Sequence, residues 1–511
     1  MKKSIICYFL FIIFFLACDP EPPGVTEPWA PVSPSFHVTV TGNSSGDGSI
    51  SSSWDLATAL SGGNSNIKPG DTVYIHGGTY NGVFTSNLYG TQAAPIVVRP
   101  WHNDEVIIDG NIHSPSTTAV IVLNGTYTWL TGLTITNSAA NHQYYNTSHN
   151  NDGVTFNGTG NKLLNCIIRG NTGNGIWFGN GATDGEISGC IVYNNGVIGT
   201  GRGHGHGIYA QNHSHHGLKI IRNNIFFNSF GKGIQIYGEQ PELHHFLVED
   251  NIFFNAAAAG GFGLEQNIYI GGHKKADNQT VRNNVFYSSP GHSGTPASVK
   301  FGDGDEVQNG QAVFTGNYCV DSFLHITKLW DRLTAHNNTY IARSSADRII
   351  VGYDKYTFVT DRDYNNNTYY RGKVGENVAG VLFPYDLVDF QNYDGQEMNS
   401  VYHENLPTQN AVFVKPAGED RWHAAVYNWE NSQSVNAAVP GMRAGDDYEL
   451  YFVPGLSSGP VASGRYNGTI NIPLSLAGTP APNIPIGMQE HAERFASTLP
   501  FFGAFLIVRI R

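Results

Sequence analysis

Between residues 150 and 340 one short phrase of sequence repeats, and this repeat constrains the chain more than any other feature. It reads Asp152–Phe156, Asn174–Phe178, His206–Ala210 and Lys232–Ile236, with looser copies at Gln266–Ile270 and Ala297–Phe301. After each copy comes a second apolar run, a polar turn and a third apolar run. The turn column reads Asn165, Gly189, Asn224, Asn251, Asn284, Asn317 and Asn338. Copies recur at roughly 21–35 residues, the spacing of a solenoid. Short apolar runs with alternating side chains are strands, one residue in and the next out. Asn tolerates a left-handed turn, and stacked Asn amides can bond from rung to rung. Ile225, Ile252 and Val285 are expected to form an inner column, joined upstream by Cys166 and Cys190. Arg222, Glu249 and Arg282 fall at one place on three successive rungs and read as a structural ladder of ion pairs. The expected fold is all-β, a right-handed parallel β-helix solenoid.

The repeat resembles that of pectate-lyase-like proteins. Ile67–Ile75, Gly78–Tyr80 and Gly90–Ile96 are similar to the opening of chondroitinase-B-like, polysaccharide-active β-helices. In those proteins an N-terminal segment covers the end of the stack and blunts its strand edge. Leu387–Gln391 followed by Gly395–Ser400 looks like a Trp-Gln…Gly-x-Asp-x-x-Ser ending, with Phe390 and Glu397 departing from it, and marks the end of the domain. Beyond it, Ala411–Val414, His423–Tyr427, Tyr448–Phe452 and Ala504–Val508 alternate between turn signals. They predict a small antiparallel β-sandwich, resembling the C-terminal β-domains of glycan-degrading enzymes. Such a domain serves as a cap on the solenoid or as a carbohydrate-binding module. The expected division is a leader at 1–17, a Pro-rich tether at 18–35, the solenoid at 36–405 and the sandwich at 406–511.

The leader has Lys2 and Lys3 before an apolar run, Ile5–Leu16, too short to span a bilayer as a mature helix. Phe15–Cys18 resembles a lipoprotein box, which implies lipidation of Cys18; an ordinary secretory signal is the alternative. The expectation is an exported monomer, held at the outer membrane or surface of a Gram-negative bacterium only through that lipid. Cys166, Cys190 and Cys319 remain in the mature chain, without metal-type spacing. Cys166 and Cys190 are expected as buried thiols rather than as a disulfide. A formal charge of −12 argues against a nucleic-acid partner.

Alternation places Ile176, Ile208, Ile234, Ile268 and Val299 inward. Thr155, Trp177, Tyr209, Gln235, Tyr269 and Lys300 then face out, and the preceding turn presents Asp152, Asn174, His206, Lys232 and Glu265. Insertions at 197–205, carrying His204, and at 256–263 would wall this strip. The resemblance implies that a substrate groove lies along the same face. Outward Trp177, Tyr209 and Tyr269 suit the apolar faces of sugar rings. His and Lys concentrate nearby, including His213, His215, His216, Lys219, His244 and His245.

A polysaccharide lyase needs a base for the proton α to a uronate carboxylate and a cation to neutralise that carboxylate. His206, Tyr209 and Lys232 are the expected catalytic centre, with Lys300 on the carboxylate; His206→Ala is expected to abolish turnover. Asp152, Asn174, Trp177, His204, Gln235, Glu265 and Tyr269 are the expected substrate contacts. A glycoside hydrolase needs two acids at a set separation, and the strip shows no neighbouring pair. Hydrolase is therefore the second reading, followed by a non-catalytic glycan binder and a C5-epimerase. No cofactor is fixed by the sequence, and Ca²⁺ is the candidate: the 301–306 stretch offers several oxygens, although it lacks the rest of a calcium-loop pattern.

Overall fold

The computed structural model describes residues 35–111, 119–143, 151–290, 297–303, 307–343, 349–353, 358–378, 381–385, 387–475, 477 and 479–510. The leader, Cys18 and all but the last residue of the tether lie outside these. Residues 35–403 wind through three 12-stranded sheets, parallel throughout except for one closing hairpin, Lys373–Val378 with Val381–Tyr385. Each rung contributes one strand to each sheet. In one rung these are Ile208–Ala210 in the site sheet, Lys219–Arg222 in the second sheet and Ile225–Phe227 in the third. The architecture is a parallel β-helix.

Both ends are closed. Ser35–Val38 is the first strand of the second sheet and pairs with Thr72–Ile75. The helix Leu56–Leu60, capped by Asp55 Oδ1 accepting from Thr58 N at 2.8 Å, buries Leu56, Ala59 and Leu60 beside Trp54 in the solenoid core. This segment supplies the cover that the resemblance implies. At the far end, the helix Leu387–Asp394 places Leu387 in the same core.

The turn between the second and third sheets carries the main polar ladder. Asn224, Asn251, Asn284, Asn317, Asn338 and Asn367 are buried. Each Nδ2 donates to Oδ1 of the next, at 2.9, 3.0, 3.1, 3.0 and 3.1 Å. Each backbone N–H donates to the same acceptor, at 2.9 Å from Asn251 to Asn284, for example. The second Nδ2 proton goes to a carbonyl of the preceding rung, such as Val248 for Asn284. The left-handed position is a different column, one residue earlier: Asn165, Gly189, Asn223, Asp250, Asn283, Gly316, Asn337 and Asn366. The column expected from sequence merged these two. Asn165 and Gly189 supply the turn, Asn224 and its successors supply the ladder, and Cys166 and Cys190 occupy the ladder position upstream as free, buried thiols.

The inner column of the third sheet also differs from expectation. Phe226, Phe253 and Phe286 point into the solenoid and stack at 4.9 and 5.1 Å. Ile225, Ile252 and Val285 point out, into a second apolar layer with Ala425, Tyr427, Phe502 and Ala504. Alternation gives no warning here, because both faces of this sheet are buried and all three residues of each strand are apolar. The covering element is the C-terminal domain. Its five-stranded antiparallel sheet runs Ala411–Gly418, Arg421–Tyr427, Phe502–Ile510, Asp447–Phe452, Ala462–Arg465. One face lies on the flank of the solenoid, and the other packs with the two-stranded sheet of Ser434–Ala437 and Ile470–Pro473. Tyr427 Oη donates to Phe286 O at 2.8 Å, Trp429 Nε1 to Tyr318 Oη at 3.2 Å, and Lys415 Nζ to Asp250 Oδ1 at 3.0 Å.

Two charged expectations change in detail. Arg222 pairs with Glu186 at 2.6 Å, alongside Lys162, while Glu249 pairs with Arg282 at 2.7 Å, so the line is two ion-pair groups rather than one. Lys219 is inside the solenoid and outside the groove. Its ammonium donates to the carbonyls of Phe178, Gly179 and Gln211 at 3.2, 2.5 and 2.7 Å and lies 4.2 Å from the Phe178 ring centre. Burial pushes its pKa well below the ordinary lysine value.

Asn284→Ala removes one unit of the ladder and leaves Asn251 Nδ2 and the N–H of residue 251 without their acceptor. Unsatisfied buried groups of this kind cost about 1–3 kcal/mol each. Equilibrium urea unfolding of the variant is expected to show a loss of about 3 kcal/mol or more.

Candidate functional site

The outer row of the site sheet is in strict register. Thr155, Trp177, Tyr209, Gln235, Tyr269, Lys300 and His325 are successive partners along it. Ile176, Ile208, Ile234, Ile268 and Val299 point the other way, into the core. Trp177 and Tyr209 are partly exposed and stack face to face, 4.8 Å apart at 3°. Gln235 interrupts the aromatic row, but Tyr237 bridges it, 6.5 Å from Tyr209 and 6.2 Å from Tyr269 between ring centres. His273 stands edge-on to Tyr237 at 6.4 Å. A sequence reading that stops at the strand end passes over Tyr237; continuing the alternation two residues past Gln235 finds it.

The turn before these strands carries a second ladder, built from five residues singled out by the sequence. Asn174 donates to Asp152 Oδ1 from its backbone N at 2.7 Å and from Nδ2 at 3.1 Å. His206 N donates to Asn174 Oδ1 at 3.0 Å, and Lys232 N to His206 Nδ1 at 2.9 Å. Lys232 Nζ closes the series on Glu265 Oε2 at 2.5 Å. A ring nitrogen that accepts an N–H carries no proton, so neutral His206 holds its proton on Nε2. Burial, then the neighbouring Lys232, Arg202 and His204, hold its pKa well below the usual range, against a hydrogen bond that the ring donates to Gln235. His206 is thus neutral at pH 7, with its donor nitrogen directed away from the ladder. At the other end, burial raises the Asp152 carboxyl to about 7, despite its two bonds from Asn174.

Charge gathers around Tyr269, only 7% exposed. Lys232 Nζ lies 5.2 Å and Lys300 Nζ 4.9 Å from its ring centre. Lys300 reaches Asp303 Oδ1 at 3.4 Å. Burial first, then a hydrogen bond with Asp303, raise the Tyr269 phenol far above its ordinary pKa; burial lifts Tyr209 to about 12. Both phenols are proton donors at neutral pH. Two lysine side chains, each paired with a carboxylate, thus flank one phenol at the end of an aromatic row.

Both insertions are ordered. Val197–Ile198 and Gly203–His204 make a small antiparallel hairpin, and Ala258–Gly260 a single 3₁₀ turn. They are held from behind by the C-terminal domain: Phe230 and Ala259 pack with Met488 and Phe495, and Arg494 donates to the carbonyls of Ala259 and Gly260 at 3.4 Å. His204 is partly buried, and burial followed by Arg202 lowers its pKa. In the loop leaving the site sheet, His213 stacks on His215 at 5.4 Å, and His216 stands edge-on to both, at 5.3 and 4.3 Å. Among the described residues no group of three His, Cys, Asp or Glu converges as metal ligands. The expected calcium stretch is described only to Asp303.

The ladder can be separated from chemistry by one substitution. Asn presents Oδ1 at the same branch position as His Nδ1, as Asn174 does one rung earlier. His206→Asn is expected to keep Lys232 in place and to retain turnover within about tenfold, whereas His206→Ala removes the acceptor and loses more. Steady-state kinetics on the two variants make the comparison.

Residues 36–288 match the family model of the Pel9A-like right-handed β-helix region. No curated protein matches significantly. Solved structures match in 62 chains. A glycoside hydrolase superimposes with a TM-score of 0.50 at 10% identity, over 66% of this chain and 96% of that one. The GH136 lacto-N-biosidase of Eubacterium ramulus gives 0.47 at 15%, over 73% and 67%. The alginate lyase of Paenibacillus sp. str. FPU-7 gives 0.43 at 19%, over 63% and 98%. At these identities the likeness to solved structures is one of fold. The strands that carry Trp177, Tyr209, Gln235 and Tyr269 all fall within the segment matched to the Pel9A-like right-handed β-helix region.

Proposed function

We propose that the protein cleaves a uronate-containing polysaccharide by β-elimination in the groove along the site sheet. The chain has the β-helix fold of carbohydrate-active proteins. The observation that carries the reading is the pair of lysine side chains, Lys232 and Lys300, that flank the Tyr269 ring. Trp177 and Tyr209 take the apolar faces of sugar rings, and Lys300 neutralises the carboxylate whose α proton is removed. Lys232 is the base. Its Nζ lies 2.5 Å from Glu265 Oε2, which is placed to take up the ammonium proton before the proton at C5 is removed. The amine takes the proton from C5, the electron pair forms the C4=C5 double bond, and the C4–O bond breaks. The departing oxygen receives its proton from a phenol, Tyr209 or Tyr269, which is recharged from the Lys232 ammonium through water.

Lys232→Ala is expected to lower turnover by about 10²–10⁴-fold while leaving the melting temperature near that of the parent. The assay is ultraviolet absorbance of new unsaturated ends on a panel of uronate polymers. Reducing ends appearing without that absorbance, on any glycan, would replace elimination by hydrolysis. That second reading has its own support: Glu265 and Asp303, from adjacent rungs, both act on the Tyr269 phenol.

We propose further that the chain is exported and held at a membrane by lipid on Cys18, supported by the apolar run Ile5–Leu16 and the Phe15–Cys18 motif. Cells fed a labelled fatty acid are expected to label the protein, and Cys18→Ala to lose the label and release it. Equal labelling of the variant would end this proposal.

A further inference from the structure

The first rungs carry another aromatic site, on a different face of the solenoid. The outward column of the second sheet begins His37, Tyr74, Arg99. Trp101 follows the strand Ile96–Pro100 and stands over this column. Its ring centre is 4.9 Å from His37, 5.0 Å from Tyr74 and 5.6 Å from His76, the first two edge-on and the last stacked. His37 and His76 are themselves bonded, Nδ1 to Nε2, at 3.0 Å. The backbone fixes the corner: Trp101 N donates to Ile75 O at 2.8 Å, and Asp104 N to Trp101 O at 3.0 Å. Gly77 N donates to Asp104 Oδ2 at 2.8 Å, and His102 takes a left-handed φ of 53° to complete the turn.

Tyr74, Arg99, Pro100, Trp101 and His102 line a cavity of about 350 Å³, within the size range of small-ligand sites. Tyr74 and Trp101 are only partly buried, so they present ring surface to solvent. The Tyr74 hydroxyl, the Trp101 indole N–H and the Arg99 guanidinium have no hydrogen-bond or ion-pair partner among the described residues. Two rigid aromatic walls with a hydroxyl, an N–H donor and a bidentate cation at their edges match a pyranose ring that bears a carboxylate.

We propose that this cavity is a second, non-catalytic glycan-binding site, taking a uronate ring on Trp101 and Tyr74 with its carboxylate on Arg99. The choice of an acidic sugar rests on the reading of the groove; the pocket itself does not. Six strand spacings separate the rung of Arg99 from that of Tyr269, about 29 Å along the axis. A long polymer held at the cavity therefore raises the local concentration of chain at the groove, and a short oligosaccharide in the groove does not reach it.

The test uses the full-length protein, with polygalacturonate and alginate as probes and a neutral glucan as control, by calorimetry. The variants are Trp101→Ala and Arg99→Ala, each alone and combined with Lys232→Ala; Arg99 has no hydrogen-bond or ion-pair partner to lose among the described residues, which separates binding from folding. Both single variants are expected to weaken binding of an acidic polymer about tenfold and to raise KM on it. Turnover of a tetrasaccharide is expected to stay unchanged. Unchanged polymer affinity in both variants, with or without Lys232, overturns the proposal, as does equal loss of glucan binding. Should Lys232→Ala remain fully active while the cavity variants still lose affinity, the groove mechanism falls and the cavity stands.

Discussion

The structure depends on amides that satisfy one another. Every rung of a solenoid turns its backbone sharply between two sheets, and the turn leaves polar groups in a place that water does not reach. Asn224 to Asn367 solve this with one side chain per rung, which accepts two bonds and donates two. Each amide bonds only if its neighbour stands one strand spacing away in the same rotamer. The ladder therefore sets the register of all three sheets, and the aromatic stacks Phe226–Phe253–Phe286 inside and Tyr193–Phe227–Phe254 outside follow from it.

The candidate site uses the same device and then departs from it. Asp152 only receives, Asn174 passes a bond on as the amides of the other turn do but in the reverse direction along the stack, and His206 still accepts through Nδ1. At Lys232 the side chain stops accepting from the next rung and instead reaches Glu265. That change turns a repeating structural position into one where a lysine and a carboxylate meet at the edge of the groove strip. Because the rungs before it are locked, Lys232, Tyr269 and Lys300 are held on a fixed grid without needing any loop to position them. The C-terminal domain adds to this from a distance: its main sheet lies on the third sheet, yet Met488, Arg494 and Phe495 brace the two inserted loops.

The outer row of the site sheet was legible in the sequence because that sheet has one dry face and one wet face, so hydrophobicity alternates. The third sheet offered no such contrast. Ile225, Phe226 and Phe227 are all apolar, and only the later covering by Tyr427 and Phe502 decides which of them face out. Turn columns were legible as chemistry but not as geometry: Asn223 and Asn224 sit side by side, one left-handed and one buried, and composition does not separate them. Pairing was the least legible. Arg222 has Glu249 as its strand partner yet bonds Glu186, since a long side chain can choose between rungs. Lys219 carried every sign of a groove cation and is instead held among three carbonyls, which no local pattern reveals.

Glu397 breaks the pattern expected at the end of the solenoid, and its place explains the difference. Asn367 Nδ2 donates to both of its carboxyl oxygens at 3.0 Å, Tyr369 Oη adds a bond at 2.6 Å, and Ser400 Oγ adds another. Ladder amides pass a bond onward, receiving with oxygen and giving with nitrogen. A carboxylate only receives. Glu397 is therefore punctuation: it absorbs what the last amide gives and hands nothing on, so the number of coils is written into the chain as a matter of donor and acceptor count.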